Sequence, residues 1–346
     1  MAQQLVYDLI EPSLLINYVR AYDNEVLYNN FTLERYLPNT LTEDLEYRIR
    51  SGTWQDVDTA LYRAWDTPAP FTKRQGMSRF RGELAPVSRQ IALSEEEFLR
   101  LRALQSNGRQ ADLVNAIYSD AERMVRSVQA RIELARGQLL VTGTFALNEN
   151  GLNVTADFGM PGTHKPTAAT LWTNPAADIL GDLLTWTQLY VDDTGTVPGV
   201  MLMSRTVLGY MYLNTAMRQA AAFAGTTPSR INNETIDAIF AANGLPPIEI
   251  YDTKVRVNGT NTSVIGTNKV LLLPSPGAEP MGNTFYGVTA EALKFQSKGY
   301  ITQEEMPGIV ACIHETESPI QTFTLATAVA VPALPNPKLV VAATVA

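Results

Sequence analysis

RIELARGQLLVTGTFALNENGLNVTADFGMPGTHKPTAATLWTNPAADILGDLLTW occupies residues 131–186, and its order of elements decides how the rest of the chain is read. A charged amphipathic helix runs into Gly137, which can end it in a left-handed cap. Two strands are then expected, Gln138 to Leu147 and Leu152 to Phe158, around Asn148-Glu149-Asn150-Gly151. Asn-Gly is a strong hairpin signal because both residues tolerate positive φ. Leu152, Val154, Ala156 and Phe158 alternate with polar residues, so one face of this hairpin is buried against the preceding helix. Asn174-Pro175 then opens a second helix through Tyr190, with Asn174 as cap and Pro175 in the first turn.

Upstream, Leu113, Ile117, Ala121, Met124, Val128, Ile132 and Ala135 are spaced by three or four residues, the stripe of one α-helix over Asp112–Arg136. Asp120, Glu122, Arg123, Arg126, Arg131 and Glu133 fall mostly off that stripe. Ser94 followed by Glu95, Glu96 and Glu97 marks an earlier helix start. Residues 42 to about 95 read as a long irregular hairpin whose tip is basic: Lys73, Arg74, Arg79, Arg81 and Arg89 face only Glu83. Residues 1–41 read as an irregular arm with Tyr7, Tyr18, Tyr22, Tyr28, Phe31 and Tyr36, aromatics that need burial against the chain's own body or a neighbour. Downstream, strands are expected at 200–203, 249–257, 270–273, 309–314, 319–331 and 339–345, and helices at 206–223 and 233–243, the last ended by Gly244.

Composition narrows the classes. At 346 residues, 45% apolar and 18% charged, the chain can fold into one large or two ordinary domains. A formal net charge of −8 argues against a general nucleic-acid binder. Cys312 is the only cysteine, which excludes an intrachain disulfide and fits a reducing compartment. The start MAQQLVYDLIEPSLL lacks the basic region of a signal peptide, and no apolar run reaches the roughly 20 residues of a membrane span. The expectation is a protein that is soluble and intracellular when made.

Catalytic chemistry is sparse. His164 and His314, the only histidines, lack metal-ligand spacing with Cys, Asp or Glu. Cys312 and His314 would share one strand face, a pattern open to a nucleophile pair but more simply a buried thiol beside a histidine. Asp192-Asp193 reads as a helix-end turn. No phosphate-binding glycine loop or nucleophile elbow occurs. No cofactor and no metal are expected.

Several motifs fall in one order: R-x-E-x-x-R-G-Q-L-L-x-T-G (131–143), E-N-G (149–151), V-x-x-D-F-G (154–159), W-x-x-P-x-A-D-I (172–179), VMLMSRTVLGYM (200–211), N-G-L-P-P-I-x-x-Y-D (243–252), VLLLP (270–274), G-x-T-x-E-A (287–292) and the tail PALPNPKLVVAATV (332–345). Together they resemble the lambda E-like major capsid proteins of tailed bacteriophages. That resemblance implies an α+β fold of the Hong Kong 97 type: an N-arm (1–41), an E-loop (42–94), a discontinuous P-domain (95–169 and 301–346) with a long spine helix, and an A-domain (170–300). Residues 138–158 and 309–346 would share the P-domain sheet. It further implies a non-enzymatic head protein that assembles into the icosahedral shell around double-stranded DNA, in hexamers and pentamers of itself. Portal, scaffold and decoration proteins are the implied partners, with no membrane, and the virion is the implied location after assembly in the host bacterial cytoplasm. An encapsulin-like nanocompartment is the alternative on the same fold. Tyr18, Tyr22 and Tyr28 of the arm and Lys73, Arg74, Arg79 and Arg81 of the loop are the expected inter-subunit contacts.

Overall fold

The computed structural model describes residues 14–16, 18, 31–51, 78–93, 96, 110–222, 228–278, 281–298, 300–302, 307–317 and 320–346. Strands β1 (Asn39–Leu41), β2 (Glu46–Ser51), β3 (Ser78–Glu83) and β4 (Pro86–Leu93) precede helix α1 (Gln110–Thr142). Then come β5 (Thr144–Glu149), β6 (Leu152–Asp157), α2 (Ile179–Thr194), β7 (Val200–Met203), α3 (Arg205–Leu213), α4 (Thr215–Ala220) and α5 (Asn233–Ala242). β8 (Ile248–Ile250), β9 (Lys254–Val257), β10 (Thr260–Ser263), β11 (Lys269–Leu273) and β12 (Asn283–Gly287) lead to α6 (Ala290–Ser297), β13 (Val310–Glu317), β14 (Ile320–Ala333) and β15 (Val341–Thr344). The helix start expected at Ser94 falls largely outside the described residues.

α1 is the axis of the fold. Its 33 residues span about 50 Å at 1.5 Å per residue. Ile117, Ala121, Met124, Val128, Ile132 and Ala135 are all buried, as the stripe requires. Ile117, Ala121 and Val128 pack with Ala326, Ala328 and Ala330 of β14. Small side chains on that face of β14 let the helix lie close to the sheet. The other face is covered too, with Val329 and Val331 in the second core. β14 pairs antiparallel with β13, β4 and β12, and β1 joins β12 in parallel.

A second sheet, β15-β11-β7-β8, carries the α2–α5 region. This corrects the expected strand grouping. The tail strand 341–344 pairs with Lys269–Leu272, not with 309–331, and among the described residues β5 and β6 pair only with each other. The tail's Val341, Ala342 and Ala343 are all buried, which suits a strand at the end of the sheet order whose two faces are both covered.

The long helix also ends later than expected. Gly137 lies inside α1, and Gly143, at φ +71°, makes the cap. Gly137 serves close packing: a Cβ there would sit 2.5 Å from both Val264 Cγ1 and the Val264 carbonyl oxygen. An alanine inside a helix ordinarily gains about 1 kcal/mol over glycine. Here Gly137→Ala is expected to cost about 1–3 kcal/mol through overpacking. Urea unfolding reads the sign directly, and a gain in stability would refute the packing argument.

Other boundaries shift for local reasons. Asn174 accepts from the Ala176 amide in a turn of its own, and α2 is capped instead by Asp178, which accepts from the Gly181 amide at 3.0 Å. Asp192 and Asp193 therefore lie within α2. The helix expected over 206–223 breaks at Asn214, whose extended backbone (φ −65°, ψ 131°) starts α4 while its side chain caps Met217. The strand expected over 249–257 divides into β8 and β9, the latter paired with β10. The expected β5–β6 turn is present, with Asn150 at φ 52° and Gly151 at φ 82°.

Candidate functional site

Two arrangements stand out: a buried polar hub on α1, and an outlying hairpin. The hub is built on Glu133 and Arg136, one helical turn apart and 0% and 3% exposed. Glu133 Oε1 accepts from the Leu33 amide at 2.9 Å and from the Tyr251 hydroxyl at 2.8 Å. Its other oxygen accepts from Arg136 Nη1 at 3.2 Å. Arg136 also donates from Nε to Thr284 Oγ1 at 2.9 Å and from Nη2 to Asn39 Oδ1 at 2.5 Å. Thr284 Oγ1 donates to the Leu37 carbonyl at 3.0 Å. Three separate stretches of chain, 33–39, 251 and 284, thus meet on one turn of α1. The arm's aromatic Tyr36 is buried here against its own chain and donates to Glu249 Oε2 at 2.9 Å.

These tyrosines carry a pH signature. Burial first, then the neighbouring Glu249 and Glu133 carboxylates, pushes the Tyr36 and Tyr251 hydroxyls far above the ordinary tyrosine range. The folded chain therefore keeps protons that the unfolded chain loses above about pH 10. Stability is present below that value and falls as pH rises past it. Melting curves taken between about pH 9 and 11 are expected to show this fall, with a smaller slope for Tyr251→Phe.

The outlying hairpin is β2–β3, paired from Glu46↔Glu83 to Ser51↔Ser78 and with no other strand among the described residues. Its base is anchored by Tyr47, buried and stacked on Phe285 with centroids 5.7 Å apart. Arg81 remains two-thirds exposed and donates from Nε to Glu46 Oε2 at 2.9 Å. That hydrogen bond, with the guanidinium's charge, holds the Glu46 carboxyl below the usual range.

The sequence-predicted contact residues are placed unevenly. Arg81 is on this hairpin, and Arg79 lies on the same strand, opposite Arg50. Tyr18 packs edge-to-face on Tyr118 at 4.7 Å and donates to Glu122, so its ring lies on the chain's own α1. Lys73, Arg74, Tyr22 and Tyr28 lie outside the described residues. Glu133 and Arg136 were not singled out as site residues by sequence reasoning. Their i,i+3 spacing inside R-x-E-x-x-R was the available signal.

The remaining reactive groups have structural surroundings. His164 is fully buried, Nδ1 2.8 Å from the Val340 carbonyl and Nε2 2.7 Å from Asp193 Oδ2, tying the tail to α2. His314 stacks on Phe323 at 5.0 Å. Cys312 packs with Ala292 and Phe295, and burial pushes its thiol up to about 11. Among the described residues no group of three or more His, Cys, Asp or Glu side chains could hold a metal, and no helix is long and apolar enough to cross a membrane.

The described chain thus combines a long helix against one sheet, a second sheet, and two-stranded hairpins outside both. The model of the phage major capsid protein E family matches residues 27–345. The chain belongs to that family. It is a shell-forming capsid protein with the Hong Kong 97-type fold. The capsid protein assigned to a prophage of E. coli CFT073 is 13% identical, with a TM-score of 0.64 and coverage of 97% of this chain and 99% of that one. A phage-related protein from Bordetella bronchiseptica RB50 is 15% identical, with a TM-score of 0.60 and coverage of 96% and 95%. At these identities the likeness is one of fold. No curated protein sequence matches the chain.

Proposed function

We propose that this capsid protein builds an icosahedral shell of hexamers and pentamers around phage double-stranded DNA, and that its role is architectural, with no reaction catalysed. It is a virion component assembled in the host bacterial cytoplasm, with portal, scaffold and decoration proteins as partners. In this reading residues 1–41 are the N-arm, 42–94 the E-loop, 95–169 with 301–346 the P-domain, and 170–300 the A-domain, with the tail strand β15 crossing to β11 of the A-domain segment and β12 crossing back to β14 of the P-domain segment.

The observation that carries this reading is the β2–β3 hairpin. A two-stranded ribbon is marginal alone in water, and among the described residues this one pairs with no other strand and packs on the body at its base, through Tyr47. A neighbouring subunit is the natural cover. Shells form from such heterologous contacts when the rotation closes, and each can be modest because several act together. Arg79 and Arg81 of this hairpin are proposed as inter-subunit contacts on that logic; Tyr18, Tyr22, Tyr28, Lys73 and Arg74 are proposed as such from the sequence resemblance alone. The acidic balance suits a wall that must not bind packaged DNA tightly.

Sedimentation velocity with negative-stain imaging of the expressed protein tests the proposal. Closed shells, tubes or capsomer rings support it. A sharp 38 kDa species that persists with co-expressed scaffold overturns it. Enzyme cargo in place of DNA inside the shells would favour a nanocompartment.

A further inference from the structure

A groove of about 1760 Å³ runs beside α1, walled by that helix, the β5–β6 and β9–β10 hairpins and part of β4. Small-molecule pockets occupy about 300–1,000 Å³, so this volume suits a macromolecular segment. The floor is apolar, with Leu134, Leu147, Leu152 and Val257 partly buried along it. The rim is basic. Arg123 and Arg126 project from one turn of α1, and Lys254 and Arg256 are exposed on one face of β9.

Among the described lining residues seven Arg and Lys side chains stand against three carboxylates. Each of those carboxylates already has a partner: Glu149 pairs with Arg131, Glu249 with Arg35, and Asp252 with Arg205. The groove thus carries an excess of four positive charges on a chain of −8, which leaves the remainder at −12. Among the described residues neither Lys254 nor Arg256 is within ion-pair distance of a carboxylate.

A nucleic-acid backbone would use the rim but not the leucine floor, since phosphate and sugar offer mainly polar contacts. The occupant that fits both is a protein segment carrying acidic and large apolar side chains together. Among the described residues one exposed segment has that composition: Leu41-Thr42-Glu43-Asp44-Leu45. Leu41 and Leu45 are 59% and 63% exposed, unusual for leucines, and Glu43 and Asp44 are exposed between them. The turn is held in shape, for the Thr42 amide donates to the Tyr286 carbonyl at 2.8 Å and the Leu84 amide to the Leu45 carbonyl at 2.9 Å. A preformed turn loses little conformational freedom on docking. None of its residues lines the groove.

We propose that the Leu41–Leu45 turn of one subunit docks into the α1 groove of the next, its leucines on the floor and Glu43 and Asp44 against Lys254 and Arg256. Knob and groove are different surfaces, so the contact is heterologous and propagates around a ring. This inference rests on the shell reading above and names one of its contacts.

Charge reversal and its rescue test it. Lys254→Glu with Arg256→Glu, and separately Glu43→Lys with Asp44→Lys, are each expected to cut shell yield by about tenfold or more through like-charge contact. All four side chains are exposed, though Arg256 Nε also donates to the Gly259 carbonyl at 3.1 Å, so circular dichroism and melting of each variant are compared with the wild type to show that the fold is kept. Combining the four substitutions is expected to restore assembly. Wild-type yields from either pair overturn the proposal. So do normal shells that merely co-purify with less nucleic acid, which would mark the groove as a phosphate site. Should the wild type itself form no shells even with co-expressed scaffold, the shell reading is what fails. The contact is then read from Leu45→Cys mixed with Asn258→Cys, using the buried Cys312 background. An interchain disulfide between the two variants upholds it, and its absence overturns it.

Discussion

Replacing Glu133 with alanine is expected to lower the free energy of unfolding by about 3–5 kcal/mol, the cost of breaking a buried ion pair from one side. The loss has identifiable parts. Arg136 keeps its charge at 4% side-chain exposure with its nearest carboxylate removed; Glu34 Oε2, at 3.7 Å, is what remains. The Leu33 amide and the Tyr251 hydroxyl lose their acceptor at the same stroke. Unpartnered buried donors cost about 1–3 kcal/mol each, although contributions within one network do not add simply. Glu133→Leu combined with Arg136→Met should recover much of the loss, because an apolar pair of similar volume avoids the desolvation penalty. Urea unfolding of unassembled subunits is the measurement. A Glu133→Ala cost below about 1 kcal/mol, the level of an exposed pair, would show that water reaches the hub and that its burial is not what matters.

The measurement must be made on subunits because assembly hides such losses. Contacts that bind only the folded state add stability by mass action. A shell of variant subunits could therefore melt normally while its free subunits are short-lived. The defect would then appear as low particle yield.

The same hub marks the limit of what the sequence could show. Periodicity placed Ile117, Ala121, Met124, Val128 and Ile132 on the buried stripe correctly, because each contact there follows from the 3.6-residue repeat. It placed Glu133 off that stripe, on what reads as a solvated face. Glu133 is nevertheless fully buried, since a second layer covers that side of α1: Leu33, 100 residues upstream of it, and Tyr251, 118 residues downstream of it. A one-dimensional repeat cannot reveal a cover that arrives from so far along the chain. Gly137 shows the same limit. Glycine after a helical pattern reads as a stop, yet here it is a notch for Val264, and that neighbour is also remote. The tail strand was legible as a strand, but its partner was not. Val341–Thr344 is apolar enough to enter either sheet, and only the crossover decides that it joins β11. The groove and the Leu41–Leu45 turn were invisible for the opposite reason. Exposed leucines flanking two acids look ordinary until the structure leaves them uncovered. The family's ordered motifs carried the fold because they recur in one order from residue 131 to residue 345, and each alone would have decided little.

Trp172→Ala is expected to cost about 3–5 kcal/mol, the range for deleting a large buried aromatic. Trp172 is 1% exposed and stacks on Trp186 with centroids 5.7 Å apart and an interplanar angle of 16°. Its Nε1 donates to Asp182 Oδ2 at 2.9 Å, and its backbone amide donates to the Val345 carbonyl at 2.7 Å. The side chain therefore fills the space between α2 and the end of the tail strand, while the backbone ties the two together whatever residue stands there. That separation makes the prediction sharp. Alanine leaves the amide bond to Val345 in place but opens a cavity and removes a partner of Trp186. Phenylalanine retains most of the ring and loses only the hydrogen bond to Asp182, a net term of about 1 kcal/mol, or up to about 3 since the acceptor is charged. Alanine should be the more damaging by a clear margin in urea unfolding, with the fluorescence of Trp186 changed in both variants. Equal costs for the two would mean that the indole hydrogen bond, not the filled volume, holds α2 against the tail.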